Sequence, residues 1–552
     1  MATLEMNGET YYRLVSGGEK LLSLHEDEVN DLNVFPIPDG DTGKNMKMTL
    51  AGGLHAASGK DLEFGKMADK IASGMLLSAR GNSGVILSQF FAGLAEGFAG
   101  CVYADVKAVA YAFECGVKRA YSSVITPTEG TILTVVREAT NYAKSVTSVS
   151  LEDFFKAWLK RAKEALANTP NQLAVLKEAN VVDSGGAGIV YIVEGMYKVL
   201  LGQEIESSSK NSDTNINDFN PDLFTSDMDL EFGYCTEVLV RLQNSKCDVE
   251  NLDANIFIDY LKTIGNSIVC FKTGSIIKIH VHTFYPYKVL QFAQQYGEFL
   301  TIKIENMMLQ NQEIREKDAL EHADKKVEKK ARHEFGVVTV ASGSGVKDAF
   351  LNFGCDVVID GGQTMNPSSE DFIKAFDYCN AENIFVFPNN SNIIMAANQA
   401  AQMYENSKVF VIPTKNLGQA YASLSMIDFT SNDVEEIKQN FIDSMEGVET
   451  IEISKATRDA SLNGVEIKEN DYIAILDKEV VSSSKTSIDA AFDSLKHVNL
   501  DDHGVLLIVV GKNGYSADAQ KLVDSLKKTN PYLDVEVSLG QQDVYDYILI
   551  CE

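Results

Sequence analysis

The 552-residue sequence predicts a multidomain protein with an all-α N-terminal part, an α+β middle part and an α/β C-terminal part of two lobes. Three observations predict it. Apolar residues recur at three- and four-residue spacing through residues 1–202, the helical period. The period changes at about 230–310, where strand-like and helix-like runs follow one another in the order β-α-β-β-α-β, the ferredoxin-like pattern. At about 335–552, short buried-strand runs alternate with amphipathic helices, as in α/β folds. The length fits this division, since one domain takes roughly 100–200 residues.

In the first part, helices are expected over 62–79, 85–99, 106–122, 132–145 and 151–167. Between them lie Gly- and Asp-rich connections: Pro38-Asp-Gly-Asp-Thr-Gly43, Gly81-Asn-Ser-Gly84, Glu129-Gly-Thr131 and Asp183-Ser-Gly-Gly-Ala-Gly188. Glycine-rich loops ahead of helices offer free N–H groups to anions. Residues 203–229, rich in Ser, Asn and Asp, read as an exposed linker. In the middle part, strands are expected at 232–242, 267–273, 275–283 and 300–305, with helices at 252–264 and 287–296. The charged run 311–334 reads as a solvated tether. In the last part, strands are expected at 336–341, 357–359, 384–387 and 409–412, and again at 472–476, 505–510 and 535–539 after a less regular insert. Helices at 369–379 and 393–404 complete the pattern, and mainly parallel sheets follow from it. The domains are accordingly set at 1–202, 230–310 and 335–552.

Hydrophobic residues make up 45% and charged residues 23%, ordinary globular usage. With 49 basic and 78 acidic residues the net charge is −29, which argues against nucleic acid or an anionic membrane as a partner of the general field. Any phosphate must be held locally, by metal ions and backbone N–H groups. The N-terminal residues carry no basic segment followed by an apolar one, and the apolar run 505–510 is far short of the roughly 20 residues that span a bilayer. No integral membrane segment is expected. The eight cysteines form no CxxC pair, so reduced thiols and a cytoplasmic location are the simpler reading.

The stretch Asn33-Val-Phe-Pro-Ile-Pro-Asp39-Gly-Asp41-Thr-Gly43-Lys-Asn45-Met is the most informative. Two prolines fix the approach, Gly40 and Gly43 allow a tight turn, and Asp39 and Asp41 project within one turn of each other. Paired carboxylates so placed suit Mg²⁺, which keeps waters and shares substrate phosphates. An ordinary Asp/Gly surface turn has the same composition.

NVFPIPDGDTGKNM, ARGNSGVILSQFF, EGTILTVVREA and VVDSGGAGI, in that order, resemble the nucleotide-binding L-type domain of dihydroxyacetone kinases. DGGQTMNPSSEDF, VFPNNSNIIMAANQAA and VIPTKNLGQAYASL extend the likeness, so the whole chain resembles the family of bacterial fatty acid kinase ATP-binding subunits. The resemblance implies an all-helical barrel holding ATP and Mg²⁺ at one end, with Asp39 and Asp41 as metal aspartates. The sugar-kinase relatives have a third aspartate just upstream, where this sequence offers Asn33. Thr42, Asn45, Asn82, Ser83, Thr131, Asp183 and Ser184 fall at the nucleotide positions the resemblance implies. Each is also an ordinary cap or turn residue. Ser83 meets neither the G-x-S-x-G spacing nor the preceding strand of a hydrolase nucleophile.

In the middle part His280-Val-His282 places two imidazoles on one face of a strand. In a ferredoxin-like sheet the first and third strands are neighbours, so Cys235 can meet His280 and His282. A thiolate with two imidazoles is a zinc set, and Glu237 is a candidate fourth ligand or a base. A buried Cys beside two surface histidines is the structural alternative; the family resemblance favours Zn²⁺. Ala341-Ser-Gly-Ser-Gly345 lacks both the third glycine of a dinucleotide loop and the Gly-Lys of a P-loop, and reads as a tight βα turn.

The resemblance implies a kinase that moves the γ-phosphate of ATP to the carboxylate of a fatty acid, giving acyl phosphate for phospholipid synthesis. It further implies a DegV-like C-terminal half that docks a separate DegV-type fatty-acid-binding carrier, and a homodimer. On this reading Asp39, Asp41, Cys235, His280 and His282 carry the chemistry. The nucleotide would bind at 1–202 without help from the C-terminal part. Two rivals remain: a dihydroxyacetone-type kinase acting on a free small carbonyl compound, and a non-enzymatic ATP-sensing adaptor.

Overall fold

The computed structural model describes residues 4–34, 40–60, 62–203, 205, 234–249, 252–253, 255–273, 275–306, 332–363, 365–431 and 433–552. The chain forms two compact units, one of residues 1–209 with 329–552 and one of residues 210–328.

The N-terminal part of the first unit is helical. Its helices are α1 (Gly8–Leu24), α2 (Glu26–Asn30), α3 (Thr42–Ala57), α4 (Phe64–Ser78), α5 (Gly81–Gly97), α6 (Val106–Ser122), α7 (Ile132–Ser145), α8 (Leu151–Gln172), α9 (Ala174–Glu178) and α10 (Ser184–Leu200). A two-residue pairing of β1 (Glu5–Met6) with β2 (Ala104–Asp105) ties the first turn to the α5–α6 connection. Helix starts are fixed by side-chain oxygens that accept backbone N–H groups: Asn7 for α1, Asp105 for α6, Thr131 for α7, Ser150 for α8 and Asp183 for α10. Neighbouring helices pack in turn from α3 and α4 through α5, α6, α7 and α8 to α10, and α10 returns to α1, closing the ring. The core is one cluster that includes Tyr11, Phe64, Phe98, Phe113 and Trp158. Trp158, fully buried, donates its indole N–H to Thr140 Oγ1 at 3.1 Å, so no polar atom of the ring is stranded.

The C-terminal part carries two sheets. The first takes β7 (His333–Ala341), β8 (Val357–Asp360), β9 (Ala381–Phe387) and β10 (Lys408–Val411) in the order β10-β9-β7-β8, all parallel. Its crossovers include α13 (Ser344–Phe353), α14 (Ser369–Cys379) and α15 (Ile394–Met403). Helices α16 (Leu417–Ser425) and α17 (Val434–Asp443) lead to the second sheet. That sheet comprises β11 (Glu449–Lys455), β14 (Tyr472–Leu476), β15 (Glu479–Ser484), β16 (Val505–Val510), β17 (Asp534–Leu539) and β18 (Tyr547–Cys551), with the hairpin β12 (Ala460–Leu462) and β13 (Val465–Ile467) outside it. Helices α18 (Ser487–Ser494) and α19 (Ser516–Thr529) cover it.

The expectation of mainly parallel sheets is corrected here. The second sheet runs β15-β14-β11-β18-β16-β17, and among the described residues β16–β17 is its one parallel pair. The reason is local. Asp477 and Lys478 both have positive φ, +47° and +77°, the two-residue turn that folds β14 directly back on β15. The sheets share one core, in which Phe335, Val337 and Phe385 of the first meet Val509, Ile548 and Ile550 of the second.

The helical and C-terminal parts are packed together. Ala79 and Val85 at the α4–α5 junction are buried in one cluster with Val338, Phe372 and Ile384. Val34 and Ala179 pack against the cluster built on β12 and β13.

The second unit contains β3 (Tyr234–Leu242), α11 (Asn255–Leu261), β4 (Gly265–Thr273), β5 (Ile276–Thr283), α12 (Pro286–Ala293) and β6 (Gly297–Asn306). The strand order is β4-β5-β3-β6 with every pair antiparallel. Val238, Val240, Ile277, Ile279 and Val281 make one face apolar, and Phe257, Leu261, Val289 and Ala293 of the two helices cover it.

Candidate functional site

Of the two aspartates in the acidic loop, Asp39 lies outside the described residues. Asp41 is the residue just before α3. Burial pushes its carboxyl up to about 6, against lowering by a hydrogen bond from Asn45 and the charge of Lys44. Asn30, at the end of α2, reaches 13 residues along the chain: its Oδ1 accepts the Gly43 N–H at 2.8 Å and the Lys44 N–H at 3.4 Å. The first turn of α3 is therefore capped by a distant side chain, because Asp41 makes no side-chain cap bond there. Asn33 is held by its backbone: its carbonyl accepts Arg458, which also donates to the carbonyl of Asp31 at 2.7 Å and of Val34 at 3.4 Å.

Three further helix starts are linked to that of α3, those of α10 and α5 directly and that of α7 through α10. Ser184 at the start of α10 donates to Thr42 Oγ1 at 3.2 Å. Asp183, the α10 cap, accepts the Gly186 N–H at 2.6 Å and a hydrogen bond from the Ile132 backbone, joining the starts of α10 and α7. Burial raises its carboxyl to about 6 as well. Gly81 opens α5 with φ +58°, and a Cβ there would lie 2.6 Å from Asn45 Nδ2 and 3.2 Å from Asn366 Nδ2. Only glycine fits this turn without displacing the amides beside Asp41. Thus Thr42, Asn45, Asn82, Ser83, Thr131, Asp183 and Ser184 all lie in the first turns or caps of these four helices.

The C-terminal part supplies the residue that sequence reasoning missed. Asn366 is 2% exposed and donates its Nδ2–H to Asp41 Oδ2. Arg80 Nη1 donates to the Asn366 carbonyl at 2.8 Å and lies 3.3 Å from Asp371 Oδ2. Asn82 Nδ2 reaches the carbonyl of Ser391 at 3.4 Å and Asn392 Oδ1 at 3.2 Å. Asn82 Oδ1 and Asn366 Oδ1 are both buried without a hydrogen-bond partner among the described residues. Buried acceptors left open beside a carboxylate and several helix N-termini fit a hydrated cation with an anionic ligand.

Ala341-Ser-Gly-Ser-Gly345 is a tight turn. Gly343 has φ +87°, and a Cβ at Gly345 would lie 1.7 Å from the Leu539 carbonyl oxygen, so the glycines admit the neighbouring backbone. Close by, Gly362, Gln363, Asn390, Glu452 and Tyr545 line a cavity between the two sheets. Burial raises the Glu452 carboxyl to about 7.

In the second unit the register sets Cys235 opposite His282 and Glu237 opposite His280 on the paired strands β3 and β5. By the pleat these four positions share the face away from Val238, Val240, Ile277 and Ile279. The side chains of Cys235, Glu237, His280 and His282 lie outside the described residues. Among the described residues the other seven cysteines form no disulfide. Among the described residues no helix is long and apolar enough to cross a membrane.

Three family models match in succession. The DAK2 domain matches residues 36–198, the FakA-like middle domain of fatty acid kinases 231–314, and the FakA-like C-terminal domain 336–552. Among curated relatives, the "Uncharacterized protein SAB1090" of Staphylococcus aureus strain bovine RF122 / ET3-1 is 35% identical over 556 residues, covering 99% of this chain and 100% of the relative. The "Uncharacterized protein SAR1202" of strain MRSA252 matches with the same identity and coverage. Two solved structures each align with 40% of the chain. The Streptococcus pneumoniae fatty acid kinase B3 protein loaded with linoleic acid is 15% identical, with 99% of its own chain covered and a TM-score of 0.29. The dihydroxyacetone kinase of C. freundii is 10% identical, with 48% covered and a TM-score of 0.29. Likenesses at these scores carry no argument.

Proposed function

As this chain belongs to the FakA-like family of fatty acid kinases, we propose that it is the ATP-binding subunit of a fatty acid kinase, transferring the γ-phosphate of ATP to a fatty acid carboxylate presented by a separate carrier. The observation that carries the reading is the linkage of the α3, α5, α7 and α10 starts, with Asp41 at the first of them. Their N–H groups suit a polyphosphate in a chain whose overall charge repels one.

Asp41 together with Asp39 would hold Mg²⁺, with Asn33 as the neutral candidate for a third position. When bound, the ion supplies charge neutralisation at the transferred phosphoryl group. Thr42, Asn45, Ser83, Thr131 and Ser184 are the candidates to orient the phosphates, with Asn82 and Asp183 fixing the helix starts that carry them. The acceptor is a carboxylate, already ionised at neutral pH, so the protein has no proton to remove. Its work is positioning and electrostatic stabilisation.

The nucleotide domain is placed at 1–202, the middle domain, with a ferredoxin-like fold and a Cys235–His280–His282 zinc site, at 230–310, and a DegV-like carrier-docking domain at 335–552. A cytoplasmic homodimer feeding phospholipid synthesis completes the proposal. The test is incubation of the purified full chain with ATP, Mg²⁺ and a DegV-type carrier loaded with fatty acid, with acyl phosphate as the readout. Acyl phosphate formed only with loaded carrier supports the reading. ATP consumed with dihydroxyacetone and no carrier supports the sugar-kinase alternative, and ATP bound but never turned over supports an adaptor.

A further inference from the structure

We propose that Asn366, in the C-terminal part, is a positioning residue of the Asp41 cation site, so that the nucleotide site is completed by a loop more than 300 residues away in sequence. This rests on the reading of Asp41 as a Mg²⁺ ligand.

The geometry is specific. Asn366 follows β8 and precedes the α14 cap at Ser368. The Gly362 N–H donates to the Met365 carbonyl at 3.0 Å, and Gln363 donates to the Tyr545 hydroxyl at 2.6 Å while accepting Asn390 at 2.6 Å. On the other side of Asn366, Ser368 and Arg80 form an antiparallel bridge, and the Ser369 N–H donates to the Ala79 carbonyl at 3.2 Å. Ser368 and Asp371 close a capping box on α14. The Asn366 side chain is thus presented to Asp41 by backbone bonds on both flanks, and Arg80 grips its carbonyl.

The amide also has the right polarity. Its N–H group orients Oδ2 of the Asp41 carboxylate. Its own Oδ1 is buried with no partner among the described residues. An unfilled buried acceptor is costly, and one placed beside a cation ligand is suited to accept a hydrogen bond from a water of the hydrated ion. Asn366 thereby acts on Mg²⁺ through Asp41 and through water, and touches neither ATP nor the reacting atoms.

The experiment uses the full chain and a fluorescent ATP analogue, titrated with Mg²⁺. Asn366→Leu keeps the volume and removes both polar atoms. The expected result is about a tenfold rise in the Mg²⁺ concentration needed for half-maximal nucleotide binding, the loss of one charge-assisted hydrogen bond. Asn366→Asp covers the case in which the leucine variant does not fold. Two facing carboxylates should lower the melting temperature without cation, and Mg²⁺ should then raise it by more than it does in the unsubstituted protein. A merely structural Asn366 would lower both melting curves equally. Asp41→Ala is the companion. If Asp41→Ala loses Mg²⁺ dependence while Asn366→Leu keeps it unchanged, this proposal is overturned and the kinase reading stands. If nucleotide binding by the unsubstituted protein does not respond to Mg²⁺, the Asp41 reading falls and this proposal with it.

Discussion

Asp41 shows how a single residue carries both a liability and a use. Its carboxyl is raised to about 6 by burial, so without cation the folded protein holds a proton that the unfolded chain releases near 4. That contribution to stability is present below about pH 4 and is lost as the pH rises through about 6. Asp41→Asn should therefore stabilise the cation-free protein at pH 7 by on the order of 1 kcal/mol, measured by denaturant unfolding. If Asp41 holds Mg²⁺ in a phosphotransferase, the same change should lower phosphotransfer by about two orders of magnitude or more, because the metal charge is no longer held. In the unsubstituted protein, Mg²⁺ affinity should weaken below about pH 6 as protons compete. Gly81 is the second sensitive position. Gly81→Ala must place a Cβ at φ +58° against the Asn45 and Asn366 amides. A loss of about 2–4 kcal/mol is expected, with weaker nucleotide binding; a thermal melt within a degree of the unsubstituted protein would contradict it.

At the scale of elements, the β12–β13 hairpin links the second sheet to the acidic loop. Its turn is Asn463-Gly464 with φ +50° and +79°, the left-handed pair of a two-residue hairpin. Just before β12, Arg458 donates to the carbonyls of Asp31, Asn33 and Val34. Arg458→Ala should cost about 1–2 kcal/mol and speed amide hydrogen exchange at residues 40–45, since a charged donor to several carbonyls is removed. In the second unit, β3 and β5 set Cys235 opposite His282. If they hold zinc, the purified protein carries the metal and Cys235→Ala lowers its content; elemental analysis of both proteins, prepared without chelator, decides this.

For the molecule as a whole, the packing of the helical part on the C-terminal part changes an expectation. The sequence alone implies that a fragment of residues 1–202 binds nucleotide unaided. Such a fragment would instead expose Ala79 and Val85, now buried against Val338 and Phe372, and would leave Asp41 without Asn366 and the acidic loop without Arg458. The fragment should melt at a lower temperature than the full chain and bind a fluorescent ATP analogue about tenfold more weakly. Equal affinity would restore the independent nucleotide domain.

The sequence by itself determined part of the element order. Helices α4 to α8, the β-α-β-β-α-β succession of the second unit and strands β7 to β10, β14, β16 and β17 were legible because local apolar periodicity is a property of neighbouring residues, whereas α1, α3, α10, β11, β15 and β18 were not read from it. The candidate site residues stand at helix starts, where Gly, Asp, Ser and Thr suit the local backbone geometry. The two hairpins of the last part, with turns at Asn463-Gly464 and Asp477-Lys478, were not read from the pattern, which left only a less regular insert ahead of residue 472. What only the tertiary structure decided was which distant residues stand beside Asp41 and the acidic loop. Asn366 lies 325 positions from Asp41, and Arg458 lies 427 from Asp31. A polar side chain in a loop has no period and no spacing that names its partner. Its role is set by which backbone the folded core brings within hydrogen-bond reach, and that depends on the packing of Ala79 and Val85 into another part's sheet.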